Sequence, residues 1–292
     1  MLAAFLFVES RAEEPIIPLT LFKNRVMAVS AMVGLFMGAA FFPVVTFIPL
    51  YFQGVLGAEA TESGVFLTPM MLAAAAGAFI SGQMLSRAGG HYRLQGTVGF
   101  AFSAVGFFLL TMMTPETSYG VAVAYIIIIG IGNGMIMPIH TIAVQNTVPY
   151  AVMGTATSMI QLLRPLGGVF GLAVVGSILN NTFASSFLNN LSPDVKAVVP
   201  PDQLAAIVDN PQALVSPEAH AQMQGMFEDL GSQGPALFEQ MLTTLREALN
   251  TALIQVFMVF FIVTILGLVA NFFLKGIPPH RTSQDESLQE SA

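Results

Sequence analysis

Cysteine is absent from the 292 residues, and charge is scarce: Asp, Glu, Lys and Arg together make up 9% of the chain. Without cysteine there is no disulfide, no thiolate nucleophile and no cysteine-ligated metal. The four histidines are scattered, with no HExxH or comparable spacing, so no metal ligand set is expected. No basic stretch is interleaved with aromatics, which argues against a nucleic-acid partner. The net charge of −7 is concentrated in one loop and in the tail. No cofactor is called for.

What fills the chain instead is apolar: 54% hydrophobic residues and a mean hydropathy of +0.73. Soluble domains carry roughly 25% charged residues. A chain this poor in charge cannot cover a globule with polar surface, so lipid must solvate much of it. A membrane-spanning helix needs about 20 mostly apolar residues. Six stretches qualify: 26–52, 65–85, 94–113, 121–142, 155–179 and 249–274. None contains Asp, Glu or Lys, and one contains a single arginine, Arg164. The expectation is an all-α membrane protein, a six-helix transmembrane bundle.

The segments between the spans divide the chain further. Residues 1–25 comprise a short apolar start, Met1 to Val8, that reads as the last turns of a preceding helix, then a polar link. Residues 26–179 hold five spans. Residues 180–248 form a long segment rich in Pro, Asp, Glu, Gln and Ala, read either as short helices, with Pro200 and Pro217 at first-turn positions, or as a flexible acidic loop. Residues 249–274 are the sixth span, and 275–292 a polar tail expected to be disordered. Arg11, Lys23, Arg25, Arg87, Arg93, Lys275 and Arg281 all fall on one side if the spans alternate. That side, with both termini, is therefore expected to be cytoplasmic, with the protein in the cell's inner (plasma) membrane. The 180–248 segment is then an extracytoplasmic loop.

Arg164 is the sharpest single feature. It lies ten residues after Gly154, which at 1.5 Å per residue is about 15 Å deep, near the bilayer midplane. A charge there costs about 2.5–3.5 kcal/mol on insertion scales, so it must face protein or water. Gln161 is one turn earlier on the same face. Two readings are open: a residue of a substrate pathway, or a structural lock that bonds backbone carbonyls of a neighbouring helix. Asn133, His140 and Gln145 are further candidates for the pathway, because polar groups in a span face the bundle interior. His140 is the one span residue of near-neutral pKa. The absent carboxylates leave no obvious proton-coupling machinery in this chain.

Glycine and proline crowd the spans. Gly130, Gly134 and Pro138 fall in the fourth, and Pro165, Gly167, Gly168 and Gly171 in the fifth. The spacings 130–134 and 167–171 permit close helix approach, and hinging is the added expectation. Pro43 and Pro49 are expected to bend the first span, and Pro69 to interrupt the start of the second.

Several motifs resemble the major facilitator superfamily, in particular its fourteen-span drug:proton antiporter branch (EmrB/QacA type). The turn GQMLSRAGGHYRL, Gly82 to Leu94, is similar to the superfamily's G-x-L-a-D-r-x-G-r-r loop. Gly82, Arg87 and Gly89 match and Arg93 follows, but Ser86 stands where that pattern has Asp. GIGNGMIMPIHTIAVQNTVP resembles the branch's glycine-rich helix, and GTATSMIQLLRPLGGVFGLAVVGSI its R-x-L-G-G helix. EEPIIPLTLFKNR resembles the link into its ninth helix.

The resemblance implies the C-terminal half of a multidrug efflux antiporter. Its partners are lipid, an N-terminal half from the same gene or a separate chain, and a hydrophobic small-molecule substrate. It assigns Gly82, Arg87, Gly89 and Arg93 to a gating loop. The alternatives are a truncated membrane scaffold that does not transport, and an intramembrane enzyme. The latter lacks a carboxylate, a thiol and a G-x-S-x-G elbow at membrane depth.

Overall fold

The computed structural model describes residues 19–58, 63–88, 91–209, 224–225, 227 and 233–274. The apolar start, Gly89, Pro217 and the polar tail lie outside the described residues. The described residues form helices and no strand. After a 3-10 turn at Leu19–Lys23 come α1 (Arg25–Gly54), α2 (Ser63–Ala88), α3 (Tyr92–Leu110), α4 (Tyr119–Gln145) and α5 (Tyr150–Asn190). Then follow two short helices, α6 (Pro193–Val198) and α7 (Pro201–Asp209), and the long α8 (Gly234–Phe272). Six of these helices are long and apolar enough to cross a membrane. The chain is an all-α membrane bundle in a lipid environment.

Local chemistry sets the helix starts. Asn24 caps α1 by accepting from the amides of Val26 and Met27, and its own amide donates to the Thr147 carbonyl at 3.1 Å. One side chain thus starts α1 and ties it to the end of α4. Ser192 caps α6, whose first residue is Pro193. Gly57, at φ 73°, makes the turn after α1 that a side chain would disfavour. Pro69 lies inside α2, which starts six residues earlier, so it does not break the helix start as expected. Its missing N–H costs one backbone bond, which the flanking turns of a long helix tolerate.

Packing follows the small residues. A Cβ on Gly130 or Gly134 of α4 would strike the carbonyls of Met70 or Ala74 on α2. A Cβ on Gly167 or Gly171 of α5 would strike those of Leu35 or Ala39 on α1. The parallel pairs α2/α4 and α1/α5 are therefore in backbone contact, as the two GxxxG spacings require. Pro165 sits on the exposed side of α5, and Gly168 meets the ring of Phe42. Helix α4 also packs on α3, and α8 on α1, α5 and α3.

Burial is uneven. In the span windows 56% of α1 is buried, but only 22% of α2 and 28% of α5. Met71, Leu72, Phe79 and Ile80 on α2, with Leu162, Leu166, Val169 and Phe170 on α5, are left exposed. At one end of the bundle the basic residues collect. Arg25 Nε donates to the Phe273 carbonyl at 3.2 Å, and the Arg93 guanidinium stacks 5.3 Å from the Phe272 ring. Two cations thus meet the C-terminus of α8, where the helix dipole is negative. At the far end a single apolar core runs from Tyr51 and Phe52 through Phe183 and Phe187 to Val195, Val199, Phe227 and Met241. Helices α6 and α7 therefore pack onto the ends of α5 and α8.

Candidate functional site

Helix α4 bears polar residues on two faces with different neighbours. Met137, Thr141 and Gln145, spaced one turn apart, face α5. Arg164 reaches across from α5 and donates from Nη2 to the Met137 carbonyl at 2.9 Å and to Thr141 Oγ1 at 3.4 Å. Its Nη1 donates to Gln161 Oε1 at 3.4 Å. One turn further along α4, Gln145 Nε2 donates to Thr157 Oγ1 at 3.3 Å. Both terminal nitrogens of the guanidinium are bonded to protein, Nε is buried without a partner among the described residues, and Arg164 is 6% exposed. On the α1 side Gly38 lies directly against the Arg164 backbone, and Gly34, one turn earlier, stands in ordinary reach of the Arg164 Cγ.

Beside this clamp a groove opens between α4 and α5. Gln145, Met153, Gly154, Thr157, Ser158 and Gln161 line it, with a volume of about 500 Å³. Gln161 is exposed at its edge. The lining residues are uncharged, the surface they present is more apolar than polar, and Met153 is its adaptable member. It can offer hydrogen bonds to a bound molecule while Arg164 supplies positive potential from behind.

The second face of α4 points the other way. His140 is 1% exposed, and its Nδ1 lies 3.5 Å from Ser30 Oγ on α1. Asn133 is 6% exposed and lines a small cavity among α1, α3, α4 and α8. The five pathway candidates therefore fall into two groups. Arg164, Gln161 and Gln145 come together at the α4/α5 groove, and Asn133 and His140 lie in the bundle core.

The loop candidates sit apart from both. Gly82 has nothing within 4 Å of the place a Cβ would take. Arg87 is exposed at the end of α2, and a surface groove runs along Phe79, Ile80, Gln83, Met84 and Arg87. Ser86 Oγ, at the position where the resembled pattern has Asp, donates to the Gln83 carbonyl at 2.9 Å. It bonds within its own helix and reaches no arginine among the described residues.

Sequence reasoning missed several buried polar groups. Gln95, Ser103, Asn250, Thr264 and Asn271 are each less than a tenth exposed. Asn271 Nδ2 donates to the Arg93 carbonyl at 3.0 Å and to Thr97 Oγ1 at 3.1 Å, tying α8 to α3. The signal was available: an amide in an apolar span is as costly as those at Asn133 and Gln145, which were singled out.

With this architecture in view, sequence comparison decides the family. The Major Facilitator Superfamily profile matches residues 3–172, more than half of the chain. The chain belongs to the major facilitator superfamily. Among superfamily relatives, it is 33% identical to the multidrug transporter protein MdtP of Bacillus subtilis over 294 aligned positions, covering 100% of this chain and 54% of that protein. Multidrug resistance protein 3 of the same organism is 28% identical over 271 positions, 93% of this chain and 49% of that protein. An MFS-type efflux pump of Trichophyton rubrum is 30% identical over 212 positions, 71% of this chain and 39% of the pump. The chain thus spans about half the length of the two Bacillus relatives. Membership of the superfamily points to transport rather than to catalysis.

Proposed function

We propose that this chain is one bundle of a secondary multidrug transporter, the C-terminal half of a fourteen-span drug:proton antiporter. The observation that carries the reading is the buried Arg164 clamp beside the uncharged α4/α5 groove. A buried cation with no carboxylate partner among the described residues is expensive in a membrane, and its position next to a groove of about 500 Å³ suits a substrate pathway. The half-length match to multidrug transporters supports the same reading.

In this reading the second bundle closes on the side where α2 and α5 are poorly buried. The two bundles rock about a midplane site, and glycine-lined helix pairs provide the close, smooth contacts. Gln145 and Gln161 meet a hydrophobic substrate through its polar atoms. Arg164 is the positioning residue that holds α4 against α5 and so keeps the groove in shape. His140 and Asn133 support α4 from behind. Gly82, Arg87 and Arg93, with Gly89 assigned by resemblance alone, belong to the loop that meets the other bundle at the cytoplasmic face. The protein lies in the plasma membrane with both termini inside, because the short basic segments cluster at one end. The 180–248 segment is then extracytoplasmic. Proton coupling is assigned to the other bundle, since no span here carries Asp or Glu.

The test is drug efflux from cells making this chain alone, then with an N-terminal half co-expressed. Efflux is expected only from the pair, and efflux by the isolated monomer overturns the half-transporter reading. In the pair, Arg164→Lys is expected to fold, because the charge survives. It should lose most efflux, because an ammonium cannot reproduce the three-way fork.

A further inference from the structure

Helix α4 cannot roll without a backbone collision. Gly132 lies against Ser103 and the Gly99 carbonyl on α3, and Gly134 lies against Ala74 on α2. Asn133, between them, is thereby fixed with its amide in the core. Its Oδ1 has no hydrogen-bond partner among the described residues, and neither has Ser103 Oγ. Both line the same small cavity, together with Met37 from α1, Phe100 from α3, Ile136 from α4 and Thr264 from α8. Thr264, 3% exposed, adds a third oxygen.

The cavity gives a molecule's centre about 10 Å³ of room, which is the space of one water and far too little for a drug. A cation is disfavoured, because the lining brings no carboxylate and its remaining walls are aromatic and aliphatic. A water needs two to four polar partners, and this lining offers three. We infer that the bundle core holds a single bound water, which donates to Asn133 Oδ1 and exchanges hydrogen bonds with the hydroxyls of Ser103 and Thr264. The site joins α3, α4 and α8 at one point, beside the Met37 turn of α1. It stands on packing and polarity alone and does not depend on the transport reading.

The experiment is radiolytic hydroxyl labelling of the whole chain in lipid nanodiscs, carried out in ¹⁸O-water and read by mass spectrometry. A water held in place generates radicals next to it, so buried neighbours become labelled. Met37 and Phe100 are 6% and 2% exposed. They are expected to take up ¹⁸O about tenfold more than Met27 and Met70, which are fully buried elsewhere. Label at Met37 and Phe100 no higher than at those two controls overturns the site. Asn133→Leu fills the cavity and removes one partner, and should bring the label at Met37 down to the control level. Ser103→Ala, a smaller change that keeps the fold if Asn133→Leu does not, should lower it several-fold. Label that persists undiminished in a folded variant shows that the water does not sit on these residues, and the inference fails.

Discussion

Gly38 of α1 lies directly against the backbone of Arg164 on α5. A Cβ at Gly38 would overlap the Arg164 carbonyl oxygen and come within 2.8 Å of its carbonyl carbon. At Gly34, one turn earlier, the nearest atom is the Arg164 Cγ at 3.7 Å, an ordinary contact. Gly38→Ala is therefore expected to destabilise the bundle by about 1–3 kcal/mol, the usual cost of overpacking. Gly34→Ala should be neutral or slightly stabilising. Thermal unfolding of the two variants in detergent separates them, and equal melting temperatures would contradict the close approach.

The clamp itself makes a graded prediction. Thr141→Val removes the weaker acceptor and keeps the Met137 carbonyl, so a loss of about 1 kcal/mol or less is expected. Arg164→Ala removes every bond and opens a void where α5 meets α4, with a loss of about 2–4 kcal/mol. Cysteine pairs placed across α4 and α5 should cross-link less readily in Arg164→Ala than in Thr141→Val. The chain's lack of native cysteine makes that measurement clean.

Gly82 presents open space where a Cβ would go. Within this bundle Gly82→Ala should leave stability unchanged or raise it by up to about 1 kcal/mol through helix propensity. A fall in efflux for the assembled pair, with unaltered stability of this chain, would locate the other bundle's approach at that face. Unchanged efflux would remove Gly82 from the gating loop.

Asn271 is fully buried and its amide bridges the Arg93 carbonyl and Thr97. Asn271→Leu breaks both bonds in a low-dielectric site, and a loss of about 1–3 kcal/mol is expected. Asn271→Asp should be worse, since it also buries an unpaired charge. Protease sensitivity at the end of α8 should rise in the same order.

Six helices, the burial of Arg164 and the close pairs at Gly130–Gly134 and Gly167–Gly171 were legible in the sequence. Each follows from a length, a spacing or a cost that needs no partner to be known. The facing of α4 was not legible. Its residues are apolar almost all round, so no stripe distinguishes the side bearing Gln145 from the side bearing Asn133 and His140. That choice is made by Gly132 and Gly134 against α3 and α2, contacts between segments distant in the chain. Gln95, Ser103 and Asn271 escaped for a related reason: a single polar atom in an apolar run does not reveal what it will be buried against. Pro69 misled because proline was read as a helix breaker, whereas a long span absorbs one missing bond.

The unbroken core that joins the far ends of α5 and α8 to α6 and α7 has a mechanical consequence. Asn190 stands about 39 Å along α5 from Arg164, at 1.5 Å per residue. If the helix pivots at the clamp as one stiff rod, a tilt of about 10° carries that tip sideways by roughly 7 Å over this length. A displacement too small to follow in the groove becomes large at the cap. A fluorophore or spin label attached at Asn190 would act as the pointer of a dial, reporting the angle of α5 at the clamp.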